Sequence, residues 1–206
     1  MKGDTLILAL ADLSGSMTGE PISKMNVQLT ELLSELQMMQ DHAEGTIYFC
    51  LEGFHEKVQS LVEPTPVCRL NGVPHLQVAR REDGYFARTR LGLLLGTLGS
   101  FLIQTGREFE AEKTYILLFS DGFPTDAEQT LRNCMEEMRK YSDAFYRCRR
   151  YVIREKERRV PLNARKNFWK EFAGAEEKVF QAQRFSEMTA QLYTELTVAE
   201  EDDVFG

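Results

Sequence analysis

Two short runs constrain the fold more than anything else in the chain: "TLILALA" at residues 5–11 and "TYILLFS" at residues 114–120. A strand with one face in water alternates apolar and polar residues. An apolar run that does not alternate, and is too short for an ordinary helix, belongs to a strand covered on both faces. That is the signature of a parallel sheet between two layers of helices. Each run also stops abruptly at an acid, Asp12 in the first case and Asp121 in the second.

The segments between supply the helices. After Gly19, Pro21 stands where a helix can begin, and Ile22, Met25, Leu29, Leu32, Leu33 and Leu36 then recur at helical spacing. "TIYFCLEGF" follows as a strand, and "KVQSLVE", with Val58, Ser60 and Val62 alternating, reads as its hairpin partner. Segment 63–88 contains Pro64, Pro66 and Pro74 and reads mostly as loop. "RLGLLLGTLGSFLIQ" is a second helix. "PTDAEQTLRNCMEEMRKY" is a third, with Asp126 and Gln129 spaced as a capping box. Phe145, Cys148 and Val152 would extend this helix to residue 159, whereas "RRYVI" favours a loop and then a strand near 148–154; the second reading is preferred. "LNARKNFWKEFAG" is a short helix, "KVFQA" an edge strand and "FSEMTAQLYTELT" a closing helix. The expectation is a doubly wound, Rossmann-like α/β fold over residues 1–198: a mostly parallel sheet with one antiparallel strand and helices on both faces. Residues 199–206 are expected to form an acidic, disordered tail.

Bulk properties exclude several classes. A net charge of −7 over 206 residues argues against nucleic acid binding by general electrostatics. Cys50, Cys68, Cys134 and Cys148 are widely spaced with no C-x-x-C pair, which argues against a disulfide framework or a zinc cluster. The apolar stretch in "MKGDTLILALAD" is short for a secretory signal, and no stretch approaches the roughly 18 apolar residues of a membrane span. A cytoplasmic protein without membrane attachment is expected. His42, His55 and His75 sit among polar neighbours and read as surface residues. Segment 139–159 has nine Lys or Arg against three acids, a net of +6, so the remainder carries −13. A solvated basic face is the first reading of it, and a docking surface for an acidic protein the second.

Doubly wound sheets place their sites at the carboxyl ends of the strands, where both acids lie. In extended chain Asp12, Ser14 and Ser16 point to one side and can present three oxygens together. A hard divalent cation such as Mg²⁺ takes oxygen ligands and keeps several waters. Two carboxylates, Asp12 and Asp121, balance its charge, and the serine hydroxyls add neutral donors. Such a metal would stay electrophilic enough to take an acidic oxygen from elsewhere.

"DLSGSM" followed by "GEPI" and a helix, then "RTRLG" and "LLFSDGFPTD", resembles a von Willebrand factor A domain with its metal-ion-dependent adhesion site. The likeness is to bacterial cytoplasmic members of the tellurite-resistance TerY type. It implies metal binding by Asp12, Ser14, Ser16, Thr89 and Asp121, the serines and threonine touching Mg²⁺ (or Mn²⁺ or Ca²⁺) and the aspartates often acting through water. Many relatives carry glycine before the threonine, whereas this chain has Arg88-Thr89-Arg90, which sets two cations, Arg88 and Arg90, where an anionic partner would arrive. The resemblance implies a non-enzymatic scaffold in a bacterial stress-response or signalling system, gripping a protein partner through an Asp or Glu. A kinase or phosphatase of the same system is a candidate partner. Two alternatives stay open. One is a metal-dependent phosphatase or phosphotransferase, although position 14 is Ser where a haloacid-dehalogenase-like enzyme needs an acid. The other is an interaction module that uses the basic segment and has lost its metal.

Overall fold

The computed structural model describes residues 3–109, 113–121, 126, 128–140, 148–154 and 166–197. Among these, six strands build one sheet: β1 (Thr5–Asp12), β2 (Ile47–Phe54), β3 (Val58–Pro66), β4 (Lys113–Ser120), β5 (Arg149–Arg154) and β6 (Val179–Gln181). Five α-helices accompany them: α1 (Glu20–Gln40), α2 (Leu91–Phe109), α3 (Glu128–Lys140), α4 (Lys166–Ala173) and α5 (Phe185–Thr197). The strand order is β3-β2-β1-β4-β5-β6. Every pairing is parallel except β2 with β3. The fold is the Rossmann-like α/β arrangement expected.

The lack of alternation in β1 now has its cause. Ile7, Ala9 and Ala11 pack with Met25, Leu29 and Leu32 of α1 and with Phe185, Met188 and Leu192 of α5. Leu6, Leu8 and Leu10 face the other way, onto Leu91, Leu94, Leu95 and Leu98 of α2 and Trp169 and Phe172 of α4. All eight residues of β1 are buried, so neither face could carry a polar residue without a partner. β4 repeats the pattern, with Tyr115, Leu117 and Phe119 in the first layer and Ile116 and Leu118 in the second. Each fully buried Leu or Phe side chain contributes about 1.5–3 kcal/mol. α1 opens as anticipated, with Pro21 in its first turn after Gly19, whose φ of 86° suits glycine.

Four expectations change. β3 continues through Pro64 to Pro66, where a loop was expected. It is an edge strand, so a proline there can turn its missing N–H away from the ladder. Its pairing with β2 shifts register around Leu51. The capping box does not form: α3 begins at Glu128, Asp126 Oδ2 instead accepts the Gly92 N–H at the start of α2 (3.3 Å), and Gln129 donates to Asn133. The basic stretch is not simply a solvated face. Residues 149–154 are a strand, Arg150 is buried, and Arg149 is ion-paired with Glu195 at 2.9 Å. The strand settles the choice at 148–154, while residues 141–147 and 155–159 lie outside the described residues. His55, expected at the surface, is half-buried, and burial lowers its pKa. The tail at 199–206 and the start of the 162–174 helix, up to residue 165, also fall outside.

The long connection from β3 to α2 is an ordered structure held by side chains that satisfy its backbone. Asn26 of α1 donates to Leu76 O (3.0 Å) and accepts from Leu76 N (2.7 Å). Gln37 donates to Val67 O and Leu70 O. The far end of this connection folds back to the carboxyl end of β1.

Candidate functional site

β1 neighbours β2 on one side and β4 on the other, so the chain winds outward in both directions from this point. The carboxyl ends of β1 and β4 therefore flank the crevice where doubly wound sheets bind ligands. Asp12 ends β1, and Asp121 directly follows β4. Parallel register aligns Ala11 with Phe119, which brings Ser120 beside Asp12.

Three loops meet here. After Asp12 the chain leaves the strand and makes a single 3₁₀ turn, Gly15–Met17, before α1. The Ser14 N–H donates to Asp12 Oδ1 (2.9 Å), an Asx-type turn that fixes the carboxylate. Ser14 Oγ lies 3.0 Å from Ser16 Oγ. Thr89 Oγ1 donates to Ser14 Oγ at 2.7 Å, joining the second loop to the first. From β4, Ser120 Oγ donates to Asp12 Oδ2 at 2.7 Å. Asp12, Ser14, Thr89 and Asp121 are buried, and Ser16 is half-buried. α2 begins at Leu91, directly after Arg90, whose carbonyl takes the Leu94 N–H.

The backbone enforces the meeting of the first two loops. Gly15 N donates to Ala87 O (2.8 Å) and Ala79 N to Leu13 O (2.8 Å). A Cβ at Gly15 would overlap that of Phe86 and lie 3.0 Å from its Cγ. Glycine between the two serines of "DLSGS" is thus a requirement of close approach.

The electrostatics follow from burial. Burial is the largest influence on Asp12 and raises its pKa from 3.8 to about 6. The hydrogen bonds from Ser14 and Ser120 oppose that rise, and the charge of Asp121 adds to it. The two carboxylates thus sense one another. Together with the hydroxyls of Ser14, Ser16 and Thr89 they form an all-oxygen donor set with two formal negative charges, which suits a hard divalent cation. Among the described residues no group of three or more His, Cys, Asp or Glu gathers, so a cation here would depend on the hydroxyls.

Arg88 and Arg90 flank Thr89 and are exposed. Among the described residues one acid of this loop pairs with an arginine other than these two. Asp83 is bridged by Arg81 (3.2 Å), which also reaches Glu56 (3.7 Å). Two contributors escaped the sequence reading. Ser120 precedes Asp121 in "LLFSDG" and could have been found from the register of two buried parallel strands. Phe86 had no signal, because its role depends on how the 79–87 loop folds.

A doubly wound sheet with this order and with these loops at the ends of β1 and β4 has the fold of von Willebrand factor A domains. In sequence the chain matches no protein-family model and no curated protein. Among solved structures it is similar to the vWF domain of the type V pili tip protein Mfa5 from Porphyromonas gingivalis (TM-score 0.60, 11% identity, 98% of this chain and 99% of that chain). It is also similar to the PilB minor pilin from Streptococcus sanguinis (0.68, 13%, 95% and 63%). A third likeness is to the manganese-loaded TRAP protein from Plasmodium vivax (0.53, 15%, 93% and 72%). At these identities the likeness shows the fold alone. The chain spans less than two thirds of the PilB chain and about half of two other matched chains.

Proposed function

We propose that this chain is a non-catalytic protein-binding module that grips a partner's Asp or Glu through a divalent cation, in the manner of a metal-ion-dependent adhesion site. The observation that carries the reading is the convergence of Thr89, Ser14 and Ser16 hydroxyls beside two buried carboxylates. Ser14, Ser16 and Thr89 would hold Mg²⁺ or Mn²⁺, with Asp12 and Asp121 balancing its charge. When bound, the cation supplies an electrophilic position for a carboxylate oxygen. Ser120 and the Ser14 N–H keep Asp12 oriented. Arg88 and Arg90 make the mouth positive in a chain of net charge −7, so an acidic ligand is drawn to this face rather than repelled. The manganese carried by one solved relative of the fold agrees with this choice of ion.

The finer reading follows the TerY-type resemblance: a cytoplasmic bacterial scaffold in stress response or signalling, whose partner is a kinase or phosphatase of the same system. All four cysteines are unbridged, which suits a reducing compartment.

The test is thermal unfolding against Mg²⁺ and Mn²⁺ concentration. Binding to the folded state alone raises the melting temperature with metal. Wild type should respond, and Ser14→Ala and Thr89→Val should not. A wild type that ignores both ions overturns the reading.

A further inference from the structure

Residues 79–87 form a small hairpin beside the donor loop. Arg80 and Phe86 pair as an antiparallel bridge, Arg81 N donates to Tyr85 O, and Gly84 turns the tip at φ 80°. The hairpin is clamped to the first loop by the Gly15–Ala87 and Leu13–Ala79 bonds, so its tip has a fixed place relative to Ser14 and Ser16. That tip carries side chains the fold does not need inside. Tyr85 is 74% exposed and Phe86 42% exposed. The Arg80 guanidinium lies 4.6 Å from the Phe86 ring centre, and Arg80 donates to Gly84 O. Phe86 also touches the glycine between the two site serines, so an aromatic surface begins next to the hydroxyl donors. Residues 79–90 contain four arginines against two acids in an acidic chain. Arg81 is engaged with Glu56 and Asp83, which leaves Arg80, Arg88 and Arg90 against Glu82 to set the charge of the outer surface.

We propose that this hairpin reads the residues flanking the partner's carboxylate, taking an acidic linear segment with an apolar or aromatic side chain next to the gripped acid. The inference rests on the carboxylate-binding reading above and extends it to the partner's sequence. The gripped Asp or Glu fixes the register. A neighbour within about two residues then reaches Tyr85 and Phe86, given the rise of about 3.3 Å per residue in extended chain. A second acid of the same segment meets Arg88 or Arg90 through charge-assisted hydrogen bonds, while Arg80, stacked on Phe86, holds the ring that meets the apolar neighbour. Charge complementarity selects this occupant: an acidic segment meets opposite charge here and like charge over the acidic chain as a whole.

The experiment is selection of random linear peptides by display on the full chain, with Mg²⁺ and with EDTA. Wild type, Tyr85→Ala, Arg80→Gln and the double variant Arg88→Gln/Arg90→Gln are compared. With wild type, Mg²⁺-dependent binders should carry an acid with an aromatic or large aliphatic residue within two positions and a further acid nearby. Tyr85→Ala should reduce enrichment of the apolar position about fivefold, as expected for losing an exposed aromatic contact. Arg80→Gln should weaken the apolar preference, and the arginine double variant should remove preference for the second acid. Tyr85→Ala and Arg80→Gln should keep the wild-type shift in melting temperature with Mn²⁺, which establishes that the donor set is intact, and the circular dichroism spectrum of the arginine double variant should match wild type, which establishes that it is folded. Mg²⁺-dependent enrichment of an acid with no apolar neighbour, or with a preference unchanged in Tyr85→Ala, overturns the role of the hairpin and leaves the carboxylate reading standing. Absence of any Mg²⁺-dependent acid overturns both. Displacement of the selected peptides by a single-stranded oligonucleotide, lost in the arginine variants, assigns the surface to nucleic acid and overturns the proposal. Self-association abolished by Tyr85→Ala assigns it to a second copy and overturns it equally.

Discussion

Replacing Asp12 by Asn should stabilise the metal-free protein at neutral pH. The Asp12 carboxylate is fully buried, and burial, opposed by its hydrogen bonds and reinforced by Asp121, lifts its pKa from 3.8 to about 6. A carboxyl whose folded pKa exceeds its unfolded value holds its proton more tightly when folded. Its contribution to stability is complete below the unfolded pKa and is lost as pH rises toward about 6. A shift of about two units corresponds to about 3 kcal/mol by pH 7. Asn removes the charge, and its carbonyl oxygen still accepts the Ser14 N–H. Its amide must face Ser120, whose hydroxyl can rotate from donating to accepting. The value of about 6 already contains the opposing Ser14 and Ser120 bonds, so the gain approaches that same figure of about 3 kcal/mol. Urea unfolding in EDTA measures it directly. The variant should be the more stable at neutral pH, and the difference should shrink as pH falls to about 4. Added Mg²⁺ should reverse the order, because only wild type gains from the cation. A variant less stable than wild type in EDTA at neutral pH would refute the reasoning and mean that the Ser14 and Ser120 bonds outweigh burial.

Gly15→Ala should cost about 1–3 kcal/mol through overlap with Phe86; denaturant unfolding checks this, and loss of the Mn²⁺ response should accompany it. Glu195 tests a different region. Burial would raise its pKa, but hydrogen bonds from Tyr151 (2.6 Å) and Arg149 (2.9 Å) and the Arg149 charge outweigh burial and lower it. Its stabilisation is present above the unfolded pKa and disappears as pH falls through the lower folded value. Glu195→Gln should therefore be less stable than wild type at neutral pH, with the gap closing in acid, as followed by circular dichroism. Leu29→Ala, in the layer between α1 and the sheet, should cost about 2–5 kcal/mol by urea unfolding. Hydrolysis of a generic phosphomonoester should be absent, and turnover that vanishes in Asp12→Ala would contradict the non-catalytic reading.

The layers of this fold are legible in the sequence because "TLILALA" and "TYILLFS" cannot be solvated on either face, and because Met25, Leu29 and Leu32 repeat at helical spacing. β5 is legible from "RRYVI" because β-branched and aromatic residues favour a buried strand over a continued helix. The donor set is legible in part. Asp12, Ser14 and Ser16 share one side of a short loop, a local property, and Asp121 follows from the same strand-end logic. Contacts between distant segments are less visible. The Thr89 bond to Ser14 spans 75 positions, and only the resemblance pointed to it. Pro64 and Pro66 read as loop because a proline in a strand is tolerated only at an edge, and edge position is a property of the whole sheet. The same holds for Asp126, whose partner in α2 is 34 residues away. Arg149 and Arg150 look like surface charge in composition, yet the fold places them in a strand and gives Arg149 Glu195 as its partner.

The central claim is a divalent cation held by loops from the ends of β1 and β4 and by Thr89. Anomalous diffraction from a crystal soaked in Mn²⁺ tests it most directly. The account predicts one strong peak among Asp12, Ser14, Ser16, Thr89 and Asp121, with at least two hydroxyl oxygens at coordination distance, and no such peak in Ser14→Ala crystals soaked identically. A Mn²⁺ peak elsewhere with none at these five residues, or a peak that persists unchanged in Ser14→Ala, would contradict it.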